Sequence, residues 1–530
     1  MPTILNRLPV IALMALMAAA PMTACRRPTS DPSHTLKLRL SGEPNVLNPV
    51  LATDAYSAQV AGVIFNGLFR VNESLKLEPD LAESYTISPD GKTYIFKLKS
   101  GIRWHDGAPL TADDVVFTFN RLIDPKTNTV RRSNFVINGV PIRFSAVDAL
   151  TVKAELPAPF APFLFSASAE ILPKHILEHQ DINTATFNRH PIGTGPFKFK
   201  EWKPGQHIIV VQNRDYFRGA PKLSAIIFRS IPDANAAKIA LLKGDIDELD
   251  VSPQDLDSIK TQRSVTVVEY QQLMYSFVGF NLKHPDLADR RVREAIAHAV
   301  DRPSIVAAVL KGHGTVAHVP VSPVSWAYPP AAKVPQFNYD PQRSRALLTE
   351  AGYTRNAAGY FEKNGRPLQF TLCYGQGGKA SPKNAEIIQD ALQKVGIKLT
   401  ILPMEWQSFL RIVNSGHDPK SFDMCMLSWS LSVDPDDYSI WHSSEYPKGF
   451  NFGGYSNPAV DRLLVDGRQV SDPKRRAAIY ADAAQRIGTD LPYLFLYYPN
   501  TISAVNRRVH GLSQPGPAGL FVRIESVWVD

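Results

Sequence analysis

The run Leu368-Gln369-Phe370-Thr371-Leu372-Cys373, followed by Asn384 to Val395, Ile397 to Leu402 and Trp406 to Asn414, decides the fold class. The first and third pieces are short apolar runs of strand length. The second and fourth read as helices, the first stopped by Gly396 and the other ended near Gly416. A β-α-β-α order of this kind predicts a largely parallel sheet with helices on its faces, an α/β architecture.

Working outward, Leu273 to Leu282 reads as an apolar strand, and Arg291 to Val300 places Val292, Ala295, Ile296 and Ala299 on one helical face. Further back, Phe197 to Trp202 and Ile208 to Gln212 are strands joined by the Pro204-Gly205 turn, and Asn235 to Leu242 is a helix stopped near Gly244. Ser88-Pro89-Asp90-Gly91 is a turn, after which Tyr94, Phe96 and Leu98 alternate as a half-buried strand. Thr111 and Asp114 can cap a helix that buries Val115, Phe119 and Leu122. His34 to Leu40 is a further strand. A chain of 530 residues built this way divides into more than one core.

Ahead of all this, Arg7 precedes the apolar run Leu8 to Pro21 and then Met22-Thr23-Ala24-Cys25. This is the layout of a cleaved secretory signal, residues 1–24, too short to span a bilayer, with residues 25–34 as a polar tether. The expected location is outside the cytoplasmic membrane. The formal net charge of +8 becomes +7 without Arg7. Basic residues are scattered, with only short clusters such as Arg131-Arg132 and Arg290-Arg291-Arg293, so no nucleic-acid partner is expected. Beyond Cys25 the cysteines are Cys373 and Cys425, each in an apolar run; two buried thiols and one bridge both stand open.

Four blocks, in this order, are similar to the extracellular solute-binding proteins of peptide-type ABC importers. They are Tyr94 to Leu98 with Trp104-His105-Asp106-Gly107 and Leu110 to Val115; Gly193-Thr194-Gly195-Pro196-Phe197 with Gly205 and Asn213 to Phe217; Val292 to Ile296 with Ala299 to Arg302; and Gly454-Tyr455-Ser456-Asn457-Pro458 with Asp461. The resemblance implies a two-lobed periplasmic-binding-protein fold of type II, cluster C, with an extra third domain. Lobe I would comprise 35–60, 186–272 and 493–530, the extra domain 61–185, and lobe II 273–492. The crossings near Tyr270 to Tyr275 and near Pro492 would be the hinge. Cys25 resembles the acylated cysteine of bacterial lipoproteins, with Met22 where that box prefers Leu; an ordinary cleavage site beside a bystander cysteine is the other reading.

The resemblance also implies site residues. Oligopeptide-binding relatives border their cleft with two tryptophans, whose places Trp406 and Trp429 occupy; filling the lobe II core is the competing role for both. Those relatives pair the ligand's α-ammonium with an aspartate three residues after the second tryptophan, where this chain has Ser432, so the carboxylate would come from Asp434, Asp436 or Asp437. Their carboxylate-receiving arginine is replaced by Met426, and Tyr275 joins the site from the crossing. The expected function is capture of a peptide or peptide-like solute and delivery to an ABC permease by a monomer tethered through Cys25, with no catalysis, no cofactor and no metal. The alternatives are a metal chelate, opine, modified peptide or oligosaccharide as solute and, more remotely, a secreted zinc hydrolase built on His175-Ile176-Leu177-Glu178-His179. Gly375 to Lys379 lacks the pattern of a phosphate loop, and His442 is a further candidate pocket donor.

Overall fold

The computed structural model describes residues 34–376 and 380–530. The signal segment, Cys25 and the tether up to residue 33 lie outside the described residues, as do Gly377, Gly378 and Lys379.

Three larger sheets organise the chain. In the first, Thr35–Leu40 runs parallel to Ala225–Ser230, which pairs antiparallel with His207–Gln212, itself paired with Phe197–Lys203. The second is the antiparallel set Ala82–Ile87, Thr93–Leu98, Thr151–Glu155 and Arg143–Asp148. The capping box is present on the helix Ala112–Ile123: the Thr111 N–H donates to Asp114 Oδ2 at 2.9 Å. That helix buries Val115, Phe119 and Leu122, with the Phe119 ring stacked 4.4 Å from Phe144 of the sheet. Gly91 turns with φ 69° and Gly205 with φ 70°, the left-handed region that makes glycine the natural residue at both turns.

The third sheet carries the opening motif. Gln369–Gly375 lies parallel to both Lys398–Met404 and Met424–Ser430. Helices Ala380–Val395 and Trp406–Val413 make the crossovers. The expected largely parallel sheet is in fact mixed. Met424–Ser430 pairs antiparallel with Met274–Phe280, which pairs antiparallel with Tyr493–Asn506. A β-α-β-α repeat fixes the direction only of the strands it connects; Met274–Phe280 reaches its neighbour from about 150 residues away in sequence, where no crossover dictates direction. Tyr493–Asn506 is long enough to serve two ladders: Tyr493 to Tyr497 pair with Met274–Phe280, and Asn500 to Asn506 with Val265–Gln271.

The sequence blocks that stand out turn out to be joints. His105 accepts the Gly193 N–H at Nδ1 (3.2 Å) and its Nε2 meets the Gly195 carbonyl at 3.0 Å. A Cβ on Gly193 would lie 1.9 Å from the Ile64 carbonyl oxygen, so only glycine fits that approach. Arg293 is buried and donates to the carbonyls of Leu287, Asp490 and Leu491. Tyr455 and Asn457 both donate to Asp490 Oδ2 at 2.7 Å, and Asn457 caps the helix Pro458–Gln469.

Candidate functional site

At the carboxyl end of the parallel strands lies a cavity of about 580 Å³. This is where ligands sit in α/β sheets. Trp406 and Met426 both line it. Trp406 opens its helix and is 45% exposed, and its ring packs on Gly375, where a Cβ would come 2.3 Å from Cε3. Side chains alternate along Met424–Ser430, so Met426 and Ser428 share the cavity face while Trp429 projects from the other. Asn384, Tyr497, Ser276 and Ser428 complete a polar wall that was not anticipated from sequence. Its signal was present: Ser276 interrupts Tyr275 and Phe277, and Ser428 interrupts Leu427 and Trp429, each a small polar residue inside an apolar strand.

On the opposite face, Trp429 stands across the ladder from Tyr275 and lies parallel to Phe277 at 6.4 Å and to Phe452 at 6.0 Å. The half-exposed Phe450 meets it edge-on at 5.5 Å. Tyr275 is fully buried and its hydroxyl has no hydrogen-bond partner. Burial, then the neighbouring charges of Tyr493 and Asp437, pushes that hydroxyl well above its ordinary value.

The strand runs on into the acidic loop, where the three aspartates have different surroundings. Ser432 is exposed. Asp434 is buried and accepts both Arg476 Nη1 (2.5 Å) and Nη2 (2.7 Å), a bidentate pair. Burial pushes Asp434 upward and Arg476 opposes that push. Asp436 is held by Arg468 Nε at 2.9 Å, and the same guanidinium lies 3.8 Å over the Tyr438 ring. Asp437 has no such partner: among the described residues no cation pairs with it, and burial together with the charges of Asp436 and Asp434 raises its carboxyl well above the ordinary range.

The other candidates do not assemble. His175 Nε2 meets Asp106 at 2.9 Å, while the His179 side chain is 90% exposed beyond the end of helix Lys174–Leu177. The two histidines therefore do not share a helical face, and among the described residues no group of three or more His, Cys, Asp or Glu converges on a metal position. Cys373 and Cys425 lie opposite one another on adjacent parallel strands as free, buried thiols. His442 stacks on Tyr438 at 4.1 Å and holds Ser444 rather than facing the cavity. Among the described residues no helix is long and apolar enough to cross a membrane.

Comparison with known proteins matches residues 76–451 to the middle region of the bacterial extracellular solute-binding proteins, family 5. The oligopeptide-binding protein AppA of Bacillus subtilis (strain 168) is 36% identical over 493 residues, 92% of this chain and 90% of that protein. Its structure in complex with a nonapeptide superposes with a TM-score of 0.78 over 94% of this chain and 99% of that one. NikZ from Campylobacter jejuni, solved with Ni(L-His), is 30% identical with a TM-score of 0.81 over 94% of this chain and 99% of that one.

Proposed function

The chain belongs to the bacterial extracellular solute-binding proteins of family 5, and from that premise we propose that it captures a peptide or peptide-like solute between two lobes and delivers it to a membrane permease, without catalysis. The solute shifts the balance from open to closed through its better contacts in the closed form. Lobe I comprises the sheet of Thr35–Leu40 and the segment Glu248–Gln271; lobe II comprises the sheet of Gln369–Gly375; residues 61–185 form the extra domain. The ladder favours a second crossing at Pro499 and Asn500 instead of Pro492, because Tyr493 to Tyr497 pair inside lobe II. The chain acts as a monomer outside the cytoplasmic membrane, held there by acylated Cys25.

One observation carries the peptide reading. Of the three acids after Trp429, Asp434 and Asp436 are paired with Arg476 and Arg468, and among the described residues Asp437 alone has a carboxyl with no cation beside it, close to the unpartnered Tyr275 hydroxyl. Asp437 is half-buried, where a carboxylate without a cation is costly, and a ligand α-ammonium supplies one. Ser432 thus replaces the usual aspartate without removing the function, which moves five residues along the loop. AppA bound to a nonapeptide supports this reading. The Ni(L-His) complex of NikZ, with Met426 in place of a carboxylate-receiving arginine here, favours a metal chelate as the second reading.

The test uses ligand-stripped protein, alanine-based peptides with free or acetylated N-termini, and tryptophan fluorescence. Free peptides should bind more tightly than acetylated ones, and Asp437→Asn should narrow that gap. Equal binding of both forms by the unaltered protein refutes the ammonium site. Binding of nickel-histidine but no peptide supports the second reading.

A further inference from the structure

The cavity beside Trp406 has a polar wall whose hydrogen bonds are nearly all used internally. Asn384 Nδ2 donates to the Tyr497 hydroxyl at 2.8 Å. Ser276 bonds to the same hydroxyl, and the Ser276 and Ser428 oxygens lie 2.7 Å apart. One buried polar atom of this wall is left over: Asn384 Oδ1 has no partner, on a side chain that is 3% exposed and lines the cavity, where the exposed Gln376 and half-buried Ser381 also stand. The other wall is apolar, made by Trp406, Met426 and Leu310. Among the described residues no carboxylate, ammonium, guanidinium or imidazole lines the space.

Asn384 is held in place. It sits in the second turn of helix Ala380–Val395, whose Ala385, Ile388 and Leu392 are fully buried, and Tyr497 is anchored in the long strand at 3% exposure. Its free oxygen therefore points at a fixed spot, and a buried acceptor left unsatisfied costs about 1–3 kcal/mol. A group entering this cavity gains by donating to Oδ1. An apolar group of the same size strands that oxygen, and a charged group loses its hydration with no counter-charge among the described lining residues to replace it.

We propose that this cavity is a selectivity pocket for an uncharged, hydrogen-bond-donating side chain of the solute, an amide above all, with Asn384 Oδ1 as its acceptor and Trp406 and Met426 clasping its methylenes. The proposal rests on the peptide reading above and adds what the solute must carry. The volume of about 580 Å³ lies within the range of ligand pockets and leaves room for one large side chain beside its backbone.

The experiment scans Gln, Met and Glu through each position of an alanine pentapeptide and measures affinity calorimetrically with the ligand-stripped protein. At one position Gln should bind about tenfold more tightly than Met, its near-isostere without a donor, and more tightly than Glu. In Asn384→Leu the gap between Gln and Met should close. Asn384→Asp keeps the shape and places a carboxylate there, so Lys at that position should overtake Met; this variant keeps the test decisive if the leucine variant folds poorly. Peptide binding with no Gln preference at any position, or a preference that survives in both variants, overturns the pocket assignment and leaves the peptide reading standing. Failure of every peptide to bind the unaltered protein overturns both.

Discussion

Lowering the pH should loosen the joint at His105 by an amount that follows from its geometry. The ring accepts one backbone N–H at Nδ1 and meets a carbonyl through Nε2, an arrangement only the neutral imidazole satisfies. Burial, opposed by the Gly195 bond, holds its pKa at about 4 against an ordinary 6.5. The folded state thus resists a proton that the unfolded chain takes up. Stability is fully present above the ordinary value and is lost as pH falls through 6.5 towards 4. Between about pH 7 and about pH 5 this one group removes about 2 kcal/mol. Urea unfolding of the native chain and of His105→Gln at both pH values isolates the effect, because all other titrations are common to the two proteins. The native chain should lose about 2 kcal/mol more than the variant over that interval. An equal loss in both would refute the assignment of a neutral, buried imidazole at this joint.

Two further outcomes are expected. Arg476→Met should cost about 3–5 kcal/mol by leaving Asp434 buried and unpaired, and adding Asp434→Leu should restore much of it; a loss below about 1 kcal/mol in the single variant, read by thermal unfolding, contradicts the buried pair. In a Cys25→Ser chain, a thiol reagent should react with neither remaining cysteine until denaturant is added, since burial pushes Cys373 up to about 12 and Cys425 higher still; rapid native-state labelling would show that the strands open.

The helices and strands were largely legible because each follows local rules. Thr111 and Asp114 cap, Gly205 and Gly244 turn, and the apolar spacing of Val292, Ala295, Ile296 and Ala299 marks their helix's buried face. Strand direction was not legible, since Met274–Phe280 finds its neighbours through contacts remote in sequence. The blocks that resemble other proteins read the scaffold: Gly193, His105, Arg293, Tyr455 and Asn457 join segments and touch neither the cavity nor Asp437. The cavity wall stayed hidden because Ser276, Asn384, Ser428 and Tyr497 come from four separate segments. Equally, Asp434, Asp436 and Asp437 are interchangeable as letters; only the positions of Arg468 and Arg476 separate them.

The strand Tyr493–Asn506 gives the proposed closure its mechanical character. It belongs to both ladders, and its neighbours Val265–Gln271 and Met274–Phe280 follow one another with only Gln272 and Leu273 between. Two lobes joined this way are coupled by a twisted ribbon, not by slack tethers. In the proposed closure, bending and twisting would centre on the stretch near Pro499, which carries no amide hydrogen to lock the ladder there. In that proposed closure the ribbon would act as a spring: a captured solute would hold it deflected, and the deflection would help the lobes part when the cargo leaves.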